Sequence, residues 1–473
     1  MTTEEQIAYL NTKLNQVVAE LSQTQEELRV TKEELDTTQE KLRGAQKRIE
    51  ELEKQKTPPA AFVKANVKKP EAGEKKARKK RDAQFNRGRA RMQATQRVEH
   101  RLINCPDCHL RLGGISLARL REVIDLPPPA AVEVTEHQIY KGWCASCQRW
   151  HEAPVDLHDQ VLGQGRIGHR LASLIATLRT VMRLPYRQIQ VYLRTLHGVQ
   201  VSIGELVELL HRMSKALGPM LADLKEQCRA SPALQADETG WREDGKNGYI
   251  WSLSTPTVRY YEYHHSRGSE VVKALIGETY EGVLGSDFYA AYNIHQGLHQ
   301  RCWVHFLREV HDLKEKHPQH EELFAWAASV KALYEQAVTW AGQGPDPALS
   351  PRLQQLECEA QQHAFEQRVW QVCQPYLRTP TPQHTLCERV ERFLPELFVF
   401  VRVPGVPAHN NLAERSVRPL VIARKISGGT RSPQGSETRM GLASLFGTWI
   451  AQHLNPFHQC LAALATTSSL GQV

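Results

Sequence analysis

The chain's 473 residues include no apolar run of about 18 residues, so no membrane-spanning helix and no membrane partner are expected. The first residues, MTTEEQ, lack the basic-then-apolar order of a secretory leader. Proline is missing before Pro58, so nothing interrupts a long N-terminal helix. Acidic residues are in deficit: 52 Asp and Glu against 60 Lys and Arg leave a net charge of +8 and a pI near 8.9. That balance favours a polyanionic partner. Of ten cysteines, only four form CxxC pairs and the others are scattered, the usage of a reducing compartment with one metal site. A cytoplasmic location is expected.

What is present divides the chain. Over residues 1–56 a seven-residue repeat runs Ile7, Leu14, Leu21, Leu28, Leu35, Leu42, Ile49. A second seam, Leu10, Val17, Thr24, Thr31, Thr38, Ala45, Leu52, is poor in its middle. The pattern predicts a coiled coil and a homo-oligomer, with a single solvated helix as the plainer alternative. Residues 57–101 are basic and poor in apolar residues, suited to phosphate neutralisation or to a solubilising linker. Residues 102–152 carry Cys105-Pro-Asp-Cys108 and Cys144-Ala-Ser-Cys147 around the strand-like EVIDLPPPAAVEVTEHQIYKGW. Four thiolates give Zn²⁺ a closed tetrahedral shell, so this reads as a structural zinc ribbon, with His109 incidental. Residues 153–230 are helical, and Tyr186–Thr195, a turn at His197-Gly198 and a Ser202-capped helix through Met213 make a helix-turn-helix or an ordinary helical hairpin.

From 231 to 317 the pattern changes to strands. PALQADETGW reads as a buried strand with Asp237 emerging at its C-terminal end, where Thr239 and Gly240 turn. NGYIWSLST and TVRYYEYHHS follow as strands, SEVVKALIGET as a helix, and GVLGSDFYAAY as a strand ending on Asp287. The order β-β-β-α-β, with an acid at the tips of the first and fourth strands, is the skeleton of a ribonuclease-H-like core. Taken singly, each Asp reads as well as a turn former or a helix cap. Next comes a short strand, Gln300 to Val304, leading into a helix. Cys302 and His305 form CxxH, without evident partners for a metal. Residues 318–405 read as a helical insertion broken at GQGPDPALSP.

Residues 406–473 complete the core. Asn410 or Asn411 can cap a helix with Glu414 in its second turn, which Pro419 ends or kinks, and the tail is helical after Ser436. Arg415, Arg418, Arg424, Lys425 and Arg431 crowd Glu414 and are candidate DNA contacts. A lone Glu there reads as a salt-bridged surface residue; with Asp237 and Asp287 it completes a three-carboxylate site for Mg²⁺ or Mn²⁺, the arrangement that serves phosphodiester cleavage.

ADETGW, GSDFYAAY, CWVH and NNLAER with RPLVIARK resemble the DDE transposases of the bacterial insertion-sequence sixty-six family. The coiled coil, the four-cysteine ribbon and LPYRQIQVYL resemble that family's architecture, so the likeness covers nearly the whole chain. It implies an α/β multidomain protein with a ribonuclease-H-like core and a helical insertion, and Asp237, Asp287 and Glu414 as the catalytic set. It also implies Cys302 and His305 near the active site. The implied partners are terminal inverted repeats and target DNA, with accessory proteins encoded by the same element, in a nucleoid-associated bacterial setting. One position departs: His409 stands where the family pattern leads us to expect Asp before the two asparagines. The alternatives are a structure-selective nuclease on the same core and a catalytically inactive DNA-binding derivative.

Overall fold

The computed structural model describes residues 93–470, apart from 115, 130, 278 and 279, together with isolated positions between 22 and 44. The expected heptad seams, and the basic stretch up to residue 92, lie outside the described residues. The chain divides into two compact units, Met1–Arg121 and Glu122–Val473.

In the first unit Asn104 and Arg111 bridge in antiparallel fashion around the first cysteine knuckle, and the Leu112 N–H donates to the Ile103 carbonyl at 2.9 Å. Among its described residues, the second unit begins with a stretch that is neither helix nor strand. The strand-like stretch before Tyr140 forms no strand, a correction with a local cause: Pro127, Pro128 and Pro129 remove successive ladder donors. Instead β1 (Lys141–Cys144) and β2 (Arg149–Glu152) make an antiparallel hairpin around the second knuckle.

Four helices follow: α1 (His169–Thr180), α2 (Tyr186–His197), α3 (Ile203–Ala216) and α4 (Gly218–Arg229). Gly198 ends α2 in a left-handed conformation (φ +68°), and the Ser202 hydroxyl caps α3 by accepting from the Glu205 N–H at 3.0 Å. On α3, Leu206, Leu209, Leu210 and Met213 recur at helical spacing and are buried. They join Ile175, Ile189, Leu234, Leu284 and Phe446 in one hydrophobic cluster, so these helices and the sheet share a core.

The sheet has five strands: β3 (Ala233–Glu243), β4 (Lys246–Ser254), β5 (Arg259–His264), β6 (Val283–Ser286) and β7 (His299–Arg301), in the order β5-β4-β3-β6-β7. β4 is antiparallel to β3 and β5, whereas β6 and β7 continue in parallel. β3 does not turn at Thr239 and Gly240. It runs on to Glu243, and the hairpin closes at Asp244-Gly245, where φ values of +49° and +77° supply the left-handed pair of a two-residue turn. Asp237 is therefore mid-strand.

α5 (Ser269–Ile276) precedes β6, and a 3₁₀ turn, Ala290–Ile294, precedes β7. The strand expected over Gln300 to Val304 ends at Arg301, because α6 (Trp303–Lys316) begins at once. Trp303, Phe306 and Val310 at helical spacing bury into the insertion core, which overrides the strand propensity of CWV. The insertion is helical as expected: α7 (Glu321–Gln343), α8 (Pro351–Cys373), α9 (His384–Arg392) and the short α10 (Leu394–Leu397) and α11 (Val399–Arg402), around Trp326, Phe365 and Phe398. α12 (Asn411–Ser427), α13 (Pro433–Ala451) and α14 (Pro456–Leu470) complete the chain. Pro419 does not end α12: it lies on the exposed face, and Leu420 and Ala423 behind it are buried against the core.

Candidate active site

The strand register builds the site. β6 pairs with β3 so that Gln235 lies opposite Gly285, and two residues further on Asp237 comes level with Asp287. β7 pairs with β6 so that Ser286 lies opposite Arg301, and one residue further Asp287 comes level with Cys302. Side chains level across parallel strands share a face. Asp237, Asp287 and Cys302 thus line up just beyond the carboxyl end of β6, the edge where open α/β sheets place their ligands. Asp287 accepts the Tyr289 N–H at 2.9 Å, which orders the turn after β6.

Glu414 arrives on the first turn of α12, not the second. Asn410 holds the N-cap position without capping: its Nδ2 donates to the Ala236 carbonyl at 2.7 Å, next to Asp237. The cap comes from the strand. Gln235 Oε1 accepts the N–H groups of Leu412 (3.0 Å) and Ala413 (3.4 Å), and its Nε2 donates to the His409 carbonyl at 3.1 Å. Cys302 Sγ accepts the Asn410 N–H at 3.2 Å. Strand β3 and the end of β7 therefore hold the N-terminus of the helix that carries Glu414.

Electrostatics tie the carboxylates together. Asp237 is pushed from 3.8 up to about 7, first by burial and then by the charges of Glu238, Asp287 and Glu414. Glu238 points to the opposite face and is structural: Arg267 Nη2 (2.6 Å) and the Tyr292 hydroxyl (2.6 Å) donate to it. Burial still raises its carboxyl, since desolvation outweighs those two bonds. His305 Nε2 lies 3.7 Å from Glu414 Oε1. Its imidazole is held above its ordinary range, first by the Cys302 hydrogen bond and further by the Asp287 and Glu414 charges. Glu414 Oε1 is buried without a hydrogen-bond partner among the described residues. A half-buried carboxylate set with an unsatisfied oxygen suits a hard divalent cation of the Mg²⁺ or Mn²⁺ class.

The CxxH reading is corrected. Cys302 and His305 do not lack a partner for a metal: with Glu414, contributed by a distant helix, their donor atoms all lie within 4.8 Å of one another. His409, the departure from the family pattern, contributes its carbonyl to Gln235, while its Nδ1 is buried with no hydrogen-bond partner among the described residues.

Of the basic residues, Arg415, Arg418, Lys425 and Arg431 are exposed, and the first three share one face of α12 beside Glu414. Arg424 instead turns inward, donating to the Gly240 carbonyl and to Thr239 Oγ1, and braces α12 against β3.

Each cysteine knuckle has the same local design. The N–H groups of Cys108 and Asp107 lower the Cys105 thiol, and that of Cys147, donated at 3.4 Å, lowers the Cys144 thiol, which favours the thiolate a metal needs. The residue after each second cysteine, His109 (φ +59°) or Gln148 (φ +48°), is left-handed, so His109 serves the turn. His151 on β2, unremarked in the sequence, brings its ring within 4.8 Å of the donor atoms of Cys144 and Cys147.

Sequence reasoning also passed over Gln235, Asn410 as a clamp, and Arg301. Arg301 is fully buried, with bonds to Glu396, Asn293 and the Asp287 carbonyl. No period or motif marks such residues. The available signal was a polar side chain, Gln235, inside the apolar stretch that leads to Asp237; β7, His299–Arg301, is polar throughout and offers none.

Two family models match. The one described as Transposase IS66 family covers residues 164–438, and that of the zinc-finger binding domain of transposase IS66 covers residues 103–148. The uncharacterized protein y4qI of Sinorhizobium fredii is 26% identical over 328 residues, 61% of this chain and 57% of that protein. The uncharacterized protein y4jO of the same organism is 27% identical over 175 residues, 37% of this chain and 49% of that protein. The chain thus spans about half the length of the curated relatives it matches.

Proposed function

Because the chain belongs to the Transposase IS66 family, we propose that it is a DDE-type DNA transposase, cleaving the ends of its element and joining the freed 3′-hydroxyl to target DNA. The carrying observation is the strand register that brings Asp237 level with Asp287, just past β6, beside the helix that carries Glu414; burial first, then the charges of Glu238, Asp287 and Glu414, raise Asp237 to about 7. The strand order, three antiparallel strands followed by two parallel ones, supports a ribonuclease-H-like core.

In this reading Asp237, Asp287 and Glu414 hold Mg²⁺ or Mn²⁺. When bound, the metal lowers the barrier to in-line attack by polarising the nucleophile and stabilising the leaving oxygen. The chain's own residues do the rest. Gln235 and Asn410 fix the height of Glu414 against Asp237. Arg301 fixes the Asp287 backbone through its carbonyl. Arg415, Arg418 and Lys425 present positive charge on the same helix, where a DNA backbone would enter, with Arg431 beyond its end. Zn²⁺ at the knuckles, with Cys105, Cys108, Cys144 and Cys147 as ligands, would fold the ribbon for DNA docking. A coiled coil over residues 1–56 would pair protomers so that two element ends meet.

The test is a strand-transfer assay with labelled element end, target plasmid and Mg²⁺. Wild type should give joined product. Asp237→Asn, Asp287→Asn and Glu414→Gln should give none while still binding the end. Nicking without joining in wild type would favour the structure-selective nuclease, and end binding without any cleavage a non-catalytic DNA-binding protein.

A further inference from the structure

Glu414 faces two sets of partners at once. On one side are Asp237 and Asp287, both hard oxygen donors. On the other are Cys302 and His305, whose sulfur and one ring nitrogen lie, with a Glu414 carboxylate oxygen, within 4.8 Å of one another. We propose that Cys302, His305 and Glu414 form a second metal site, for a borderline divalent cation of the zinc class, which shares Glu414 with the hard-cation site. That Glu414 serves catalysis rests on the proposed function; the second metal site does not.

Three observations carry it. The ligand set, one thiolate, one imidazole and one carboxylate, suits zinc and leaves one coordination position open. The His305 Nε2 to Glu414 Oε1 separation of 3.7 Å is too long for a hydrogen bond. It approaches the spacing of about 3.4 Å that two ligands at about 2 Å take on one tetrahedral ion. Finally, Glu414 Oε1 is buried with no hydrogen-bond partner among the described residues. Cys302 is itself nearly inaccessible, at 1% exposure, and sits at the N-terminus of α6 one turn before His305, so two ligands come pre-positioned on one rigid element. A zinc-class ion taking Glu414 withdraws it from Asp237 and Asp287. The site would then be inhibitory, opposing Mg²⁺.

The probe is Co²⁺, titrated into the full chain with its tightly held zinc left in place, while the thiolate-to-cobalt charge-transfer absorbance is followed. Wild type should show a saturating band that Zn²⁺ displaces. Cys302→Ser should lose the band, and His305→Asn and Glu414→Gln should each weaken Co²⁺ binding by about tenfold or more. Asp287→Asn, which leaves all three ligands in place, should keep the band and controls for folding. No band in wild type overturns the site, as does a band unchanged by Cys302→Ser. Because binding is read without DNA, a protein that shows the band but never cleaves sinks the transposase reading and leaves this one standing.

Discussion

Gln235→Leu tests how the helix that carries Glu414 is held. The substitution keeps side-chain volume, so little of its effect comes from packing. What it removes is the cap of α12. The N–H groups of Leu412 and Ala413 are the second and third of the helix, the donors that an N-cap side chain ordinarily satisfies, and here a strand residue satisfies them. The bonds to Leu412 at 3.0 Å and to the His409 carbonyl at 3.1 Å contribute about 1 kcal/mol each, and leaving those buried groups unpaired costs about 1–3 kcal/mol more. A loss of about 3 kcal/mol is expected in urea unfolding followed by tryptophan fluorescence. Glu414 lies within the same helical turn, so its carboxylate shifts with the released N-terminus. A displacement near 1 Å lowers Mg²⁺-dependent cleavage by about a hundredfold. If Gln235→Leu unfolds at the wild-type midpoint and cleaves at the wild-type rate, the strand does not hold the helix. If stability falls while cleavage is untouched, Asn410 alone positions Glu414.

The pH dependence of the metal-free protein follows from Asp237. Its carboxyl is raised from 3.8 to about 7, so the folded state keeps a proton that the unfolded chain has released; its contribution to stability is full below pH 4 and is lost as pH rises through 7. The span is up to about 4 kcal/mol, and Asp237→Asn should flatten it in urea titrations at pH 5 and pH 8. Arg301→Met removes a buried cation from the Glu396 carboxylate, Asn293 and the Asp287 carbonyl. It should cost about 3–5 kcal/mol, and an unchanged unfolding midpoint would refute the network's role. Arg418→Ala and Lys425→Ala should each lower the slope of log affinity against log salt for DNA by about 1, whereas Arg424→Ala should leave that slope alone and destabilise the fold.

Most of the element order was legible because the periods are clear. The β-branched and aromatic content of NGYIWSLST and TVRYYEYHHS, and the helical spacing of SEVVKALIGET, reappear as β4, β5 and α5. The misjudged points are ones that local propensity cannot decide. Thr239 and Gly240 have turn chemistry, yet Asp244-Gly245 closes the hairpin, and the β4 register carries β3 through. Pro419 is a helix breaker in isolation, but the buried neighbours on the other face of α12 keep the helix whole. The acids were visible as residues. Their meeting was not, because Glu414 is separated from Asp287 by the insertion, and the contacts joining α12 to β3 come from amide side chains that follow no period.

Those amide contacts explain how a long helical insertion can lie between two acids of one site. The insertion is fastened at its own roots: Gln300 exchanges bonds with the Leu397 carbonyl and the Phe400 N–H, and the Trp303 N–H donates to the Ala408 carbonyl. With both ends pinned beside β7, the chain leaves and re-enters the core at one place, and the entropy of closing that excursion grows only slowly with its length. Gln235 and Asn410 then join β3 directly to α12 without passing through the insertion. The distance between Asp237 and Glu414 is thereby set by neighbours in the core. Asp287 is tied to the insertion through Arg301 and Glu396, and the start of α12 through Val406 and Ala408, which are buried in the insertion core just before Asn410. A conformational change in the insertion therefore reaches the site at two points, the Asp287 backbone and the start of α12.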